Sequence, residues 1–198
     1  MATVETKLYS AVDFLDWCAE HGDDNVRYEL DQGVIVTMPP AGPFHGAVLF
    51  LISRLIGNWL FHRGKGFACS HDSSLLVEEE PDTVRGPDLM IFPESVALEE
   101  IPRTTMKDIP SLVIEVLSPQ DTYGKTVQRI NQYLKRGIPL VWIVEPEIQT
   151  ITVNRLDRTP VVFKANDTIT GEEVFPDLQF KVAEFFRLPN QPTQADQS

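Results

Sequence analysis

Hydrophobic positions along this chain switch repeatedly between two periods, and the switches divide it into elements. Ala11, Phe14, Leu15 and Cys18 recur at helical spacing behind Ser10, which predicts a helix over 11–21. Residues 26–38 alternate around Asp31, Gln32 and Gly33, the pattern of a hairpin. After a loop containing Pro39, Pro40, Gly42 and Pro43, the helical period returns. Val48, Leu49, Ile52, Leu55, Ile56 and Trp59 predict a helix over roughly 45–62, stopped by Gly64 and Gly66. Strands are expected near 67–78, 88–92 and 111–117. A second long helix is expected over 121–136, ended by Gly137, with Tyr123, Val127, Ile130, Tyr133 and Leu134 as its apolar stripe. The run 140–144 is apolar without alternation, as in a strand covered on both faces. Strands near 150–155 and 160–164 predict a closing hairpin, followed by a short helix near 182–187. No internal repeat occurs. This order predicts an α/β fold, a mixed sheet flanked by helices, with an N-terminal helix and hairpin. One domain is expected over 1–187, and the polar, Pro/Gln-rich 188–198 is expected to be a disordered tail.

Composition narrows the setting. The chain has 198 residues, about one domain's worth, and 42% are hydrophobic, enough for a core. The longest apolar stretch, 47–60, is interrupted by Arg54 and Asn58 and falls short of the roughly 18 residues of a membrane span. The N-terminus shows no basic-then-apolar signal. Cys18 and Cys69 lie in different elements, without metal-type spacing, and read as reduced thiols. A cytoplasmic protein without a membrane role is the expectation. The formal charge of −12 argues against coating nucleic acid by bulk electrostatics. That charge is uneven, with nine acids and one base in 72–100 but seven bases and three acids in 125–164. The asymmetry suits a metal site beside a phosphate-tracking surface, and equally an ordinary solvated surface.

Two acids stand out from their strands. Asp88 opens the run Pro87–Phe92, and Glu115 sits inside Ser111–Pro119. A carboxylate among Val, Ile and Leu is unfavourable unless a cation meets it. The two strands lie 27 residues apart, close enough in sequence to pair through one connection. Carboxylates on neighbouring strand ends make a hard-oxygen site for Mg²⁺ or Mn²⁺, and such a site suggests metal-assisted cleavage of a phosphodiester. The plainer alternative makes Asp88 a strand-start acid bonded to backbone and Glu115 a structural acid paired with Arg129 or Arg85. Glu29 on the hairpin could be merely solvated, and His45 merely a polar group at a helix start.

Taken in order, several segments resemble one family. They are Tyr28–Gly33, the helix opening at His45, Pro87-Asp88, Glu115–Pro119, Tyr133–Gly137 and Val141–Pro146. Over roughly 10–187 the chain resembles the PD-(D/E)XK nuclease superfamily, and within it the "Uma-two" group of restriction-endonuclease-like proteins. The resemblance implies a restriction-endonuclease-like core. It implies that Asp88 and Glu115 bind Mg²⁺ or Mn²⁺ with the carbonyl of Val116, and that Glu29 and His45 lie beside the site. Leu117 stands where the superfamily's E-x-K lysine would be. In this group the lysine has migrated to the next helix, and the matching position here is Arg129. Arginine keeps the charge but cannot take a proton. Lys125, one turn earlier, is the other catalytic candidate, although the helical wheel points it away from the apolar stripe.

These residues imply a metal-dependent DNA endonuclease. A catalytically impaired, nuclease-like protein that binds DNA or a protein partner is the alternative, and a hydrolase of another phosphoester stays open. A homodimer is implied by the resemblance alone.

Overall fold

The computed structural model describes residues 7–23, 26–71 and 73–189, so residues 190–198 of the expected tail lie outside it. Helix α1 (Ala11–His21) opens on a capping box: Ser10 Oγ accepts the Asp13 amide at 3.1 Å, and the Asp13 carboxylate takes the Ser10 amide in return. Strands β1 (Arg27–Asp31) and β2 (Val34–Met38) join through Gln32 and Gly33. Both have positive φ (48° and 78°), the conformation that a two-residue hairpin turn needs. Helix α2 (Pro43–Arg63) starts with proline in its first turn and stops at left-handed Gly64.

Next come β3 (Phe67–Ser70), β4 (Leu75–Glu78), β5 (Thr83–Arg85), β6 (Leu89–Phe92) and β7 (Leu112–Val116). Helix α3 (Tyr123–Arg136) leads to β8 (Leu140–Glu145), β9 (Thr150–Asn154) and β10 (Val161–Lys164). Strands β11 (Thr168–Gly171) and β12 (Phe175–Lys181) form a hairpin, and a 3-10 turn (Val182–Phe186) closes the fold.

The main sheet has six strands in the order β10-β9-β8-β7-β6-β3. Only the β7–β8 pair is parallel, because α3 is the crossover between them. Alternation along β7 decides which helix covers which residue. Leu112, Ile114 and Val116 pack with Val48, Ile52 and Ile56 of α2, whereas Val113 packs with Tyr133 and Leu134 of α3. Glu115 shares the α3 face with Val113. The smaller sheet, β2-β1-β5-β4, packs against α3. Its β4 residues Leu75 and Val77 join the α3 core, while Leu76 joins Ala11, Phe14, Leu30 and Val84 in a third cluster under α1.

The mixed sheet and its two flanking helices agree with the sequence pattern. Several elements do not. The run 67–78 is two strands in different sheets, split by a turn at His71 with φ of 62°. Strand β5 is too short, and β11 and β12 too interrupted by Gly171 and Pro176, to show a period. Helix α3 begins two residues later than expected, and Tyr123 is exposed rather than part of the stripe. The closing helix is a 3-10 turn. Helix α2 is also more continuous than its interruptions suggest. By length and composition alone it is long and apolar enough to cross a membrane. Here Val48, Leu51, Ile52, Leu55 and Ile56 are buried within the fold, while Phe44, Phe50 and Phe61 remain exposed on the same helix.

Ile114 is fully buried between β6, β8 and α2. Ile114→Ala is expected to lower unfolding free energy by about 2–5 kcal/mol, because the removed methyl and methylene groups leave a cavity that a sheet cannot close. Urea denaturation checks this.

Candidate functional site

The pairing of β6 with β7 sets the two acids side by side. Leu89 lies opposite Ile114, so one further step of the same antiparallel register puts Asp88 opposite Glu115, both toward α3. Both are buried, as is Glu29 on β1. Asp88 Oδ2 accepts the Val116 amide at 2.8 Å and lies 3.2 Å from His45 Nε2 at the start of α2. The backbone contact imagined for a merely structural Asp88 is therefore present. The neighbouring Leu117 amide donates to Val144 of β8. Alternation then turns the backbone of Val116, carbonyl included, toward the Asp88 side.

Glu115 meets the cation that its burial requires. Arg129 Nη1 donates to Glu115 Oε1 at 3.3 Å, and Nη2 of the same guanidinium donates to Glu29 Oε2 at 3.1 Å. The hydroxyl of Tyr133, one helical turn on, also donates to Glu115 Oε1. Among the described residues no donor reaches Asp88 Oδ1 or Glu115 Oε2.

Glu29 is fully engaged. Besides Arg129, it accepts Arg85 Nη1 at 3.2 Å and the Gly86 amide at 3.1 Å. Arg85 also donates to Asp31, and through Nε to Gln132 Oε1 at 2.9 Å. Gln132 in turn donates to Glu78 Oε2 at 3.0 Å. A chain of buried polar contacts thus runs from β1 and β5 through α3 to β7.

Electrostatics follow from this packing. Burial pushes the Glu115 carboxyl up to about 7; Arg129 opposes the shift, Asp88 adds to it, the Tyr133 hydrogen bond opposes it and Glu29 adds to it. Burial alone would weaken the Arg129 charge, but the carboxylates of Glu115 and Glu29 outweigh it, and its pKa is raised. Burial and the neighbouring Glu115 raise Tyr133 well above an ordinary phenol.

The acids open onto a cleft of about 330 Å³, lined by Asp88, Glu115, Val116, His45, Arg27, Lys125 and Arg129. Glu29 stands behind Arg129 and is not part of the lining. The helical wheel rightly turned Lys125 away from the core. It is exposed, and yet it lines the cleft, because the first turn of α3, with Lys125 and Thr126, forms part of the cleft wall. The sequence reading missed Tyr133 as a polar group and Arg85 as the partner of Glu29. Tyr133 had a usable signal, since a buried tyrosine hydroxyl needs a partner and position 133 shares a helix face with 129.

No three of His, Cys, Asp and Glu among the described residues converge as a ready-made metal cage. Two carboxylates, each with an oxygen lacking a donor, and a nearby backbone carbonyl nevertheless form an all-oxygen donor set. Magnesium takes such sets with water completing its shell.

Comparison with solved structures finds a protein from Anabaena variabilis, described as a putative nuclease, with a TM-score of 0.71 and 20% identity. The match covers 89% of this chain and 97% of that one, and at this identity it establishes a shared fold. Comparison with curated proteins gives no match. A family model described as "Uma2: putative restriction endonuclease" matches residues 11–183, nearly the whole folded region, and the chain belongs to that family.

Proposed function

We propose that this protein is a divalent-metal-dependent endonuclease that hydrolyses phosphodiester bonds of DNA. The observation that carries the reading is the convergence of Asp88 and Glu115 on one wall of an open cleft, each with a carboxylate oxygen left over. The family's description as restriction endonucleases supports the same chemistry. Asp88, Glu115 and the Val116 carbonyl would hold Mg²⁺ or Mn²⁺. Once bound, the ion supplies charge neutralisation at a phosphate oxygen and a lowered pKa for an attacking water.

The chain's own residues prepare that site. The Val116 amide and His45 fix the Asp88 carboxylate, and Arg129 with Tyr133 fixes Glu115. The cleft cations Lys125 and Arg129 place positive charge where a phosphate would enter. The reading includes a homodimer, supported by the habit of related nucleases of cutting two strands with paired sites.

Supercoiled DNA should be nicked by the wild type with Mn²⁺, while Asp88→Asn and Glu115→Gln each lose at least about 100-fold in rate, as expected when a metal ligand is removed. Equal nicking by all three proteins would overturn the reading. Light scattering should give twice the chain mass of 22.4 kDa; a value at the chain mass contradicts the dimer.

Burial of Glu115 also makes metal-free stability depend on pH. Its folded pKa, about 7, lies above the ordinary value of 4.5, so the folded state holds the proton more tightly. The resulting stabilisation is complete below about pH 4.5 and is lost as pH rises through about 7. With chelator present, the wild type should therefore lose more stability between pH 5 and pH 8 than Glu115→Gln, which carries no titrating group there. Parallel urea curves for the two proteins would contradict this.

A further inference from the structure

Three cations line the cleft, and they are not equivalent. Arg129 spends both terminal nitrogens on carboxylates, Nη1 on Glu115 at 3.3 Å and Nη2 on Glu29 at 3.1 Å. Arg27 is drawn toward Glu29, 4.0 Å away. Lys125 lines the same cleft, and among the described residues no carboxylate lies within ion-pairing distance of it. Its residue is exposed, so the ammonium keeps the reach of a four-carbon stem.

Glu115 shows what the Arg129 contact does. Arg129 and Tyr133 both bond to the same oxygen, Oε1, from successive turns of α3. Two donors on one oxygen fix the carboxylate's rotation and leave Oε2 as the oxygen available to a ligand. Glu29 fixes the guanidinium from the other side and is itself held by Arg85 and Gly86. Drawing the Arg129 fork out toward a phosphate would stretch its contacts to Glu115 and Glu29 and leave Glu115, which has no other cation among the described residues, without its counter-charge.

We propose a division of labour in this cleft: Arg129 and Tyr133 are positioning residues that orient Glu115 through Oε1, and Lys125 is the cation that contacts the substrate phosphate. The assignment rests on the reading of the cleft as a phosphodiester site. It reverses the order suggested by sequence alignment, in which Arg129 stands at the position of the migrated lysine. Arg129 could keep its charge there without keeping the lysine's task, because a second carboxylate, Glu29, has captured it.

Two measurements on the full chain separate the roles: Mn²⁺ titration by calorimetry, and affinity for a short fluorescent DNA duplex with Ca²⁺ in place of Mn²⁺. Tyr133→Phe keeps the buried ring and removes only the hydroxyl, so it should fold. It should weaken Mn²⁺ binding by about tenfold, the usual effect of losing a hydrogen bond to a metal-binding carboxylate. Lys125→Gln should leave Mn²⁺ affinity within about twofold and weaken duplex binding several-fold, with nicking reduced at least about tenfold.

The reverse pattern overturns the proposal: Lys125→Gln binding and nicking DNA like the wild type, or Arg129→Gln keeping full Mn²⁺ affinity while losing DNA. So does unchanged Mn²⁺ affinity in Tyr133→Phe. If the wild type binds Mn²⁺ and duplex but nicks nothing, the nuclease reading fails while the two affinities still decide the roles. A wild type that binds no duplex defeats both.

Discussion

Glu115 is an acid set into a strand of aliphatic residues, and the guanidinium of Arg129 makes that placement tolerable. An unpaired carboxylate at this depth would be driven to protonate or to pull the strand end open. One cation serves two acids, Glu115 from the large sheet and Glu29 from the small one, and a cleft lined by Glu115 and Arg129 stays open beside the pair. Asp88 Oδ1 and Glu115 Oε2 still lack a donor among the described residues. In the proposed reading a divalent ion would supply the positive charge that those two oxygens face.

The location of the cluster follows from topology. The sheet changes from antiparallel to parallel pairing at β7, and α3 leaves from the carboxyl end of that strand. In open sheets this is where a crossover helix steps away from its strand and leaves a crevice. The chain fills the crevice's rim with the loop after β2 and the first turn of α3, and its floor with Asp88 and Glu115. The parallel pairing that demands a long crossover is thus also what makes room for a ligand.

Much of this was legible in the sequence. Helix periods located α1, α2 and α3, and a run of five apolar residues located β8, because burial leaves a direct mark on residue choice. The isolated acids at 88 and 115 were legible for the converse reason, as polar residues where burial forbids them. What escaped was set by partners rather than by pattern. Strand β5 has three residues and no period, yet it carries Arg85, which holds Glu29. Tyr133 looks like any core aromatic until its hydroxyl is followed to Glu115. The helical wheel placed Lys125 off the apolar stripe, as observed, but a wheel cannot show that this exposed side of the first turn of α3 borders the cleft.

Arg85 joins Glu29, Asp31 and Gln132, and so ties the hairpin layer to the helix that crosses the main sheet. The cleft is therefore shared property of two layers that could in principle loosen separately. If the outer layer detaches first, as small sheets with modest cores tend to in native-state opening, Glu29 departs with it and Arg129 loses half its restraint. The six-stranded body could then persist, with Asp88 and Glu115 still side by side on it but with the Glu115 side chain less firmly held. Loss of ligand capture would precede loss of secondary structure, and the hairpin layer would act as a safety catch on the chemistry.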